Sequence, residues 1–220
     1  MDNYQKKLRT VLSPAEERMF KQLKTPNKIQ DYLDSFPTNE LGEGQHSMRS
    51  PRYVMRIKRA HCMEGALVAA TSLAYHGREP LLLDLRSVRH DLDHVVALFK
   101  ENGLWGAISK TNHPVLRWRD PLYRNVRELA MSYAHEYYLG SGTARRGQKT
   151  LREYSKQFDL RRYAPERWIT AVGDLDWLAE ALDDSPHSPI APRAAFKKLR
   201  KASDFEIRAT DVVEWPKRRK

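Results

Sequence analysis

The sequence predicts an α+β protein, with N-terminal helices, a buried cysteine-bearing helix packed on a small antiparallel sheet, and a mixed C-terminal extension. Three observations carry this reading. Ser13-Pro14 and Thr25-Pro26 each place a capping side chain before a proline, the arrangement that opens a helix. The segment 62–76 is rich in Ala and Leu with little polar surface, and it stops at Gly77, as a buried helix with a glycine stop does. Two strand-length apolar runs, Val95 to Phe99 and Leu104 to Ile108, flank Asn102-Gly103, which is hairpin turn chemistry.

Taken in order, Glu16 completes a capping box with Ser13 in the first helix pair. In the helix after Thr25, Ile29, Tyr32, Leu33 and Phe36 fall at helical spacing and form a packing face, and Pro37 follows its end. Thr38 to Ser50 reads as a loop, and Ser50-Pro51 opens a short helix through Ile57. Leu81 to Leu85 is a strand, and a helix runs from Val126 to about Tyr138. Gly140 to Gly147 reads as a flexible break. Beyond it come a charged stretch to Ala164, a helix over Leu175 to Leu182, a proline-rich linker over Ser185 to Pro192, a basic helix over Ala194 to Lys201 and a terminal strand over Phe205 to Trp215. The expected division is a domain over 1–140, a flexible connection over 141–150 and a basic extension over 151–220.

Hydrophobic residues make up 40% of the chain and charged ones 30%, a balance that suits a folded protein with a heavily solvated surface. The first ten residues lack the apolar stretch of a secretory signal, and no run is long enough to span a bilayer, so neither membrane nor export is expected. Cys62 is the sole cysteine, which fits a reducing, cytoplasmic setting and leaves a free thiol. A net charge of +11 and the basic end Lys217-Arg218-Arg219-Lys220 would attract nucleic acid. The basic residues are scattered and form no standard recognition motif, so the charge reads first as solvated surface.

Cys62 stands at the first turn of the buried helix, where unpaired N–H groups and the positive end of the dipole favour thiolate over thiol. A cysteine at an arbitrary position is more often a small core residue, but the charged and ionisable neighbours Arg59 and His61 put this one at the core's edge. A thiol nucleophile needs a base, and His94 stands where a polar stretch meets a strand, so that it could face a cleft. The third group should accept a hydrogen bond from the imidazole. Asn112, just past the third strand, is the best chemical match, with Ser109 and Asp120 as rivals. His90, Asp91, Asp93 and His94 together suit zinc or manganese in ligand type, but they are too closely spaced to make a good site unaided.

The order of these elements resembles the transglutaminase-like superfamily, related to papain: a cysteine opening an Ala-rich helix, a strand after Pro80, His94 opening the next strand, then a strand containing Trp105. The upstream helix bearing Pro26, Ile29, Tyr32 and Leu33 is similar too. The likeness spans about Thr25 to Asn112 and extends toward Tyr138. It implies Cys62 as nucleophile and His94 as base. The third position departs from the pattern, because an aspartate usually follows the tryptophan strand, although the papain branch uses asparagine. It further implies acyl transfer at an amide or peptide carbonyl of a peptide or protein, by hydrolysis or transamidation and without a cofactor. The competing expectation is a non-catalytic basic module that binds nucleic acid or peptides.

Overall fold

The structure, a computed structural model, describes residues 3–38 and 48–215. Most of the loop expected over 38–50, and the basic end beyond Trp215, lie outside the described residues. The chain begins with helices α1 (Asn3–Val11), α2 (Pro14–Gln22), α3 (Pro26–Asp34) and α4 (Pro51–Ile57), followed by α5 (Cys62–Tyr75). Local chemistry sets their starts. Ser13 Oγ accepts from Glu16 N while Glu16 Oε2 accepts from Ser13 N at 2.7 Å, and Thr25 Oγ1 caps Lys28 N. Every residue of α5 from Met63 to Tyr75 is buried. Full burial of Leu67, Val68 and Leu73 contributes about 2 kcal/mol apiece. The helix ends where Gly77 takes a φ of 78°, a left-handed conformation that a side chain would disfavour.

Strands β1 (Leu81–Arg86), β2 (His94–Glu101), β3 (Leu104–Ile108) and β4 (Arg119–Tyr123) form consecutive antiparallel neighbours. Asn102 and Gly103, at φ of 51° and 81°, make the tight turn between β2 and β3. Residues alternate between two apolar layers. Leu82, Val95, Ala97, Phe99 and Ile108 join α5 and the N-terminal helices, while Leu81, Leu83, Leu85, Val96, Leu98 and Ala107 face a second layer with Leu129, Ala130 and Tyr133 of α6 (Val126–Ala134). Because both faces are covered, β1 and β2 carry apolar residues on both sides and do not alternate, with buried Asp84 the one polar residue inside β1.

The last third completes the same sheet. Strands β5 (Glu153–Ser155) and β6 (Phe158–Asp159) pair with β1 on the side away from β2. After α7 (Pro165–Trp168) and α8 (Asp176–Asp183), β7 (His187–Pro189) pairs with β5. The sheet order is thus β4-β3-β2-β1-β5-β7, with β6 beside β1. Trp168, Ile169, Leu175, Leu178 and Leu182 pack into the layer that holds α5. The connection 141–150 folds back on itself: Gly147 N donates to Leu139 O at 2.9 Å and Leu139 N to Gln148 O at 3.1 Å.

Four elements differ from the sequence-based expectation, the first being the helix expected from Val126 to about Tyr138, which stops at Ala134. The proline-rich segment expected as a linker contains β7, because an edge strand tolerates the donor that Pro189 lacks. The basic helix over 194–201 is only a 3-10 turn, Ala195–Lys198, none of whose residues is buried. The expected terminal strand is largely helix α9 (Asp204–Asp211), opened by a capping box between Ser203 and Glu206. Among the described residues, no helix is long and apolar enough to cross a membrane.

Candidate active site

Cys62 is the first residue of α5 and is partly exposed, whereas the next thirteen residues are buried behind it. The turn is fixed from within by buried Glu64, whose carboxylate accepts from His61 N at 3.1 Å and Arg49 N at 3.2 Å. The first amides of α5 lack acceptors within the helix, so they point their partial positive charge toward the sulfur's end. Burial by itself would raise the Cys62 thiol. Hydrogen bonds from the His61 and His94 side chains, with the charge of those rings, outweigh it and hold the thiol well below its ordinary range.

His94 opens β2, is 5% exposed, and its ring centroid lies 6.4 Å from that of Tyr133 on α6. Its Nε2 is 2.7 Å from Ser109 Oγ. The Ser109 hydroxyl has one proton, and Leu116 O accepts it at 2.8 Å. A lone pair of Ser109 therefore faces the imidazole, so Nε2 carries the hydrogen and Nδ1 is left as the basic nitrogen. The orienting position thus falls to Ser109, weighed in the sequence as a rival of Asn112.

Ser109 is itself held from a distant helix. The Gln30 carboxamide, on α3, accepts from Ser109 N at 3.0 Å and donates to Ser109 O at 2.9 Å, bracketing its main chain. The next residue, Lys110, has no exposed surface and donates to Phe36 O at 2.5 Å. Burial pulls its ammonium down to about 8. Its stem lies against Gly65 of α5, where a methyl group would overlap Lys110 Cβ. Gly65 therefore lets the strand end carrying Ser109 approach the helix carrying Cys62.

Asn112 serves another segment. Its Oδ1 accepts from Trp215 N at 2.8 Å and its Nδ2 donates to Trp215 O at 3.1 Å, while its main-chain oxygen accepts from Glu214 N at 3.1 Å. Glu214 also pairs with Arg117, so residues 214–215 are strapped across the end of β3. Asp120 is exposed and accepts from Trp118 Nε1 at 2.9 Å. Among the described residues, His90, Asp91, Asp93 and His94 do not converge as a metal-ligand group. Two surface hollows, one beside Arg9 and Tyr75 and one beside Arg152 and Phe196, are lined by neither Cys62 nor His94.

Sequence reasoning did not single out Gln30, Glu64 or Lys110. Glu64 had a readable signal, since a glutamate three residues after a helix cap is a standard capping partner. Gln30 and Lys110 act across about eighty residues of chain, and nothing local marks them. Compared with known proteins, the chain matches no family profile, and a search of curated proteins returns no match.

Proposed function

We propose that this chain is a cysteine-dependent acyl-transfer enzyme of transglutaminase-like type, acting on an amide or peptide carbonyl. The observations that support the reading are the placement of Cys62 at the N-terminus of α5, the lowering of its thiol by the His61 and His94 rings, and the 2.7 Å pairing of His94 with Ser109. Such a thiolate is nucleophilic at neutral pH, and a ring that keeps its hydrogen on Nε2 offers Nδ1 as the proton carrier.

In this reading Cys62 Sγ adds to the carbonyl carbon, and the oxyanion is met by amides of the first turn of α5. The carbon–nitrogen bond then breaks, with the proton on His94 Nδ1 passing to the departing amine, leaving a thioester. Water or an amine attacks the thioester as His94 Nδ1 takes its proton, and the carbon–sulfur bond breaks to restore the thiolate. Ser109 holds the ring plane throughout by accepting from Nε2. A reducing, cytoplasmic setting suits an enzyme whose one cysteine must stay a thiol.

The test uses p-nitrophenyl acetate. A burst of nitrophenolate near one equivalent, with one acetyl group on Cys62 that hydroxylamine removes, supports the reading. Absence of a burst, or acetylation of Cys62 no faster in the native protein than in urea, removes it.

A further inference from the structure

A second cluster of ionisable groups lies outside this relay. Carboxylate oxygens of Asp84 on β1, Asp93 just before β2 and Asp183 at the end of α8 all lie within 4.8 Å of one another. Asp93 and Asp183 are exposed at the rim, while the Asp84 side chain is 1% exposed. Asp84 Oδ2 accepts from His187 Nε2 at 3.0 Å, but its Oδ1 is buried and has no hydrogen-bond partner among the described residues. A buried carboxylate oxygen left unpaired is costly, by roughly 1–3 kcal/mol or more, so this atom calls for a partner.

From this geometry we infer a binding site for one hard divalent cation, of the Ca2+ and Mn2+ class, coordinated by Asp84 Oδ1 at its base and by Asp93 and Asp183 at its rim. The donors are all oxygen, which selects hard cations over zinc. His187 is not available as a ligand, because its Nδ1 meets Ser185 O at 2.6 Å and its Nε2 meets Asp84. It plays the supporting part, fixing the Asp84 carboxylate from behind. Charge fits as well. The three aspartates and Glu153 face Arg86, which pairs with Glu153 and donates to Asp183 O, and the His187 ring beside Asp84. The cluster keeps a surplus of negative charge whether or not that ring is protonated, which suits a divalent ion. The site joins three segments remote in sequence, and Asp93 directly precedes His94. The inference does not depend on the proposed chemistry at Cys62.

The test is titration of chelator-treated full-length protein with Mn2+, read by electron paramagnetic resonance of free Mn2+, with Ca2+ as competitor. One Mn2+ per chain, displaced by Ca2+, is expected. Asp183→Asn, at an exposed position, should weaken Mn2+ by about tenfold or more with the circular dichroism spectrum unchanged. Asp93→Asn should do the same. No binding at millimolar Mn2+ or Ca2+, or binding unchanged in both variants, overturns the site and leaves the cluster as an internal charge network.

Discussion

Replacing Ser109 by alanine tests whether this hydroxyl orients the His94 imidazole. The change removes the buried acceptor at 2.7 Å from His94 Nε2 and the part-buried donor to Leu116 O. Two polar groups are then left without partners, costing about 2–4 kcal/mol of stability at roughly 1–3 kcal/mol each, softened by water entry. About 1 kcal/mol of that loss falls on the orientation of the ring that stabilises the thiolate. Since about 1.4 kcal/mol corresponds to one pH unit, the ionisation midpoint of Cys62 should rise by nearly one unit. The assay is thiolate ultraviolet absorbance against pH, with Cys62→Ser as the blank. Ser109→Thr, which keeps the hydroxyl, should restore most of the shift even where its extra methyl costs stability. A midpoint unmoved in a folded Ser109→Ala protein would refute the role given to this residue.

Further predictions concern what holds the site in place. Gln30→Ala removes both bonds to the main chain of Ser109 and should cost about 2–3 kcal/mol in urea unfolding, with a rise in the Cys62 midpoint in the same direction as Ser109→Ala. Lys110 has its folded pKa lowered to about 8, so its contribution to stability is fullest above the unfolded value of about 10.4 and is lost as pH falls through about 8. Wild type should therefore gain on the order of 2 kcal/mol between neutral pH and pH ~10.5 relative to Lys110→Met, and parallel curves for the two proteins would contradict this. Asn112→Ala frees the strap at Trp215, losing about 1 kcal/mol per bond, and should speed proteolytic cutting near Val212 and Val213, both exposed, more than it lowers the global melting point.

The chain states its local structure plainly. Ser13, Thr25 and Ser50 before prolines, the apolar run of α5 and the Asn102-Gly103 turn each determine their geometry within a few residues, and the observed elements begin and end there. Cys62 and His94 can be singled out because both stand at element starts next to polar residues, where the backbone is held. The third group was harder. Asn112 has the better chemistry in isolation, yet its carboxamide is engaged by the main chain of Trp215, about a hundred residues on. Ser109 gains its position from Gln30, and that pairing leaves no local trace. The C-terminal third was read poorly for a related reason. Strands of two or three residues form here because a neighbour offers an unpaired side, β1 to β5 and β6 and then β5 to β7, which the segments themselves do not reveal. The Ser203 and Glu206 capping pair opens a helix where a strand over Phe205 to Trp215 is expected, and it is a local signal that this expectation leaves out.

The central claim, that the His61 and His94 rings together hold the Cys62 sulfur as a thiolate and that His94 supplies a share of this, is tested most directly by the rate of Cys62 alkylation with iodoacetamide as a function of pH. The folded pKa of this thiol is lowered, so wild type should stay reactive as pH falls below the ordinary thiol range and lose reactivity only at the lowered midpoint. His94→Ala should move the profile upward by about one unit or more, with tenfold slower alkylation near pH 6. Superimposable profiles for wild type and a folded His94→Ala protein, or a wild-type midpoint near that of a free cysteine at about 8.5, would contradict it.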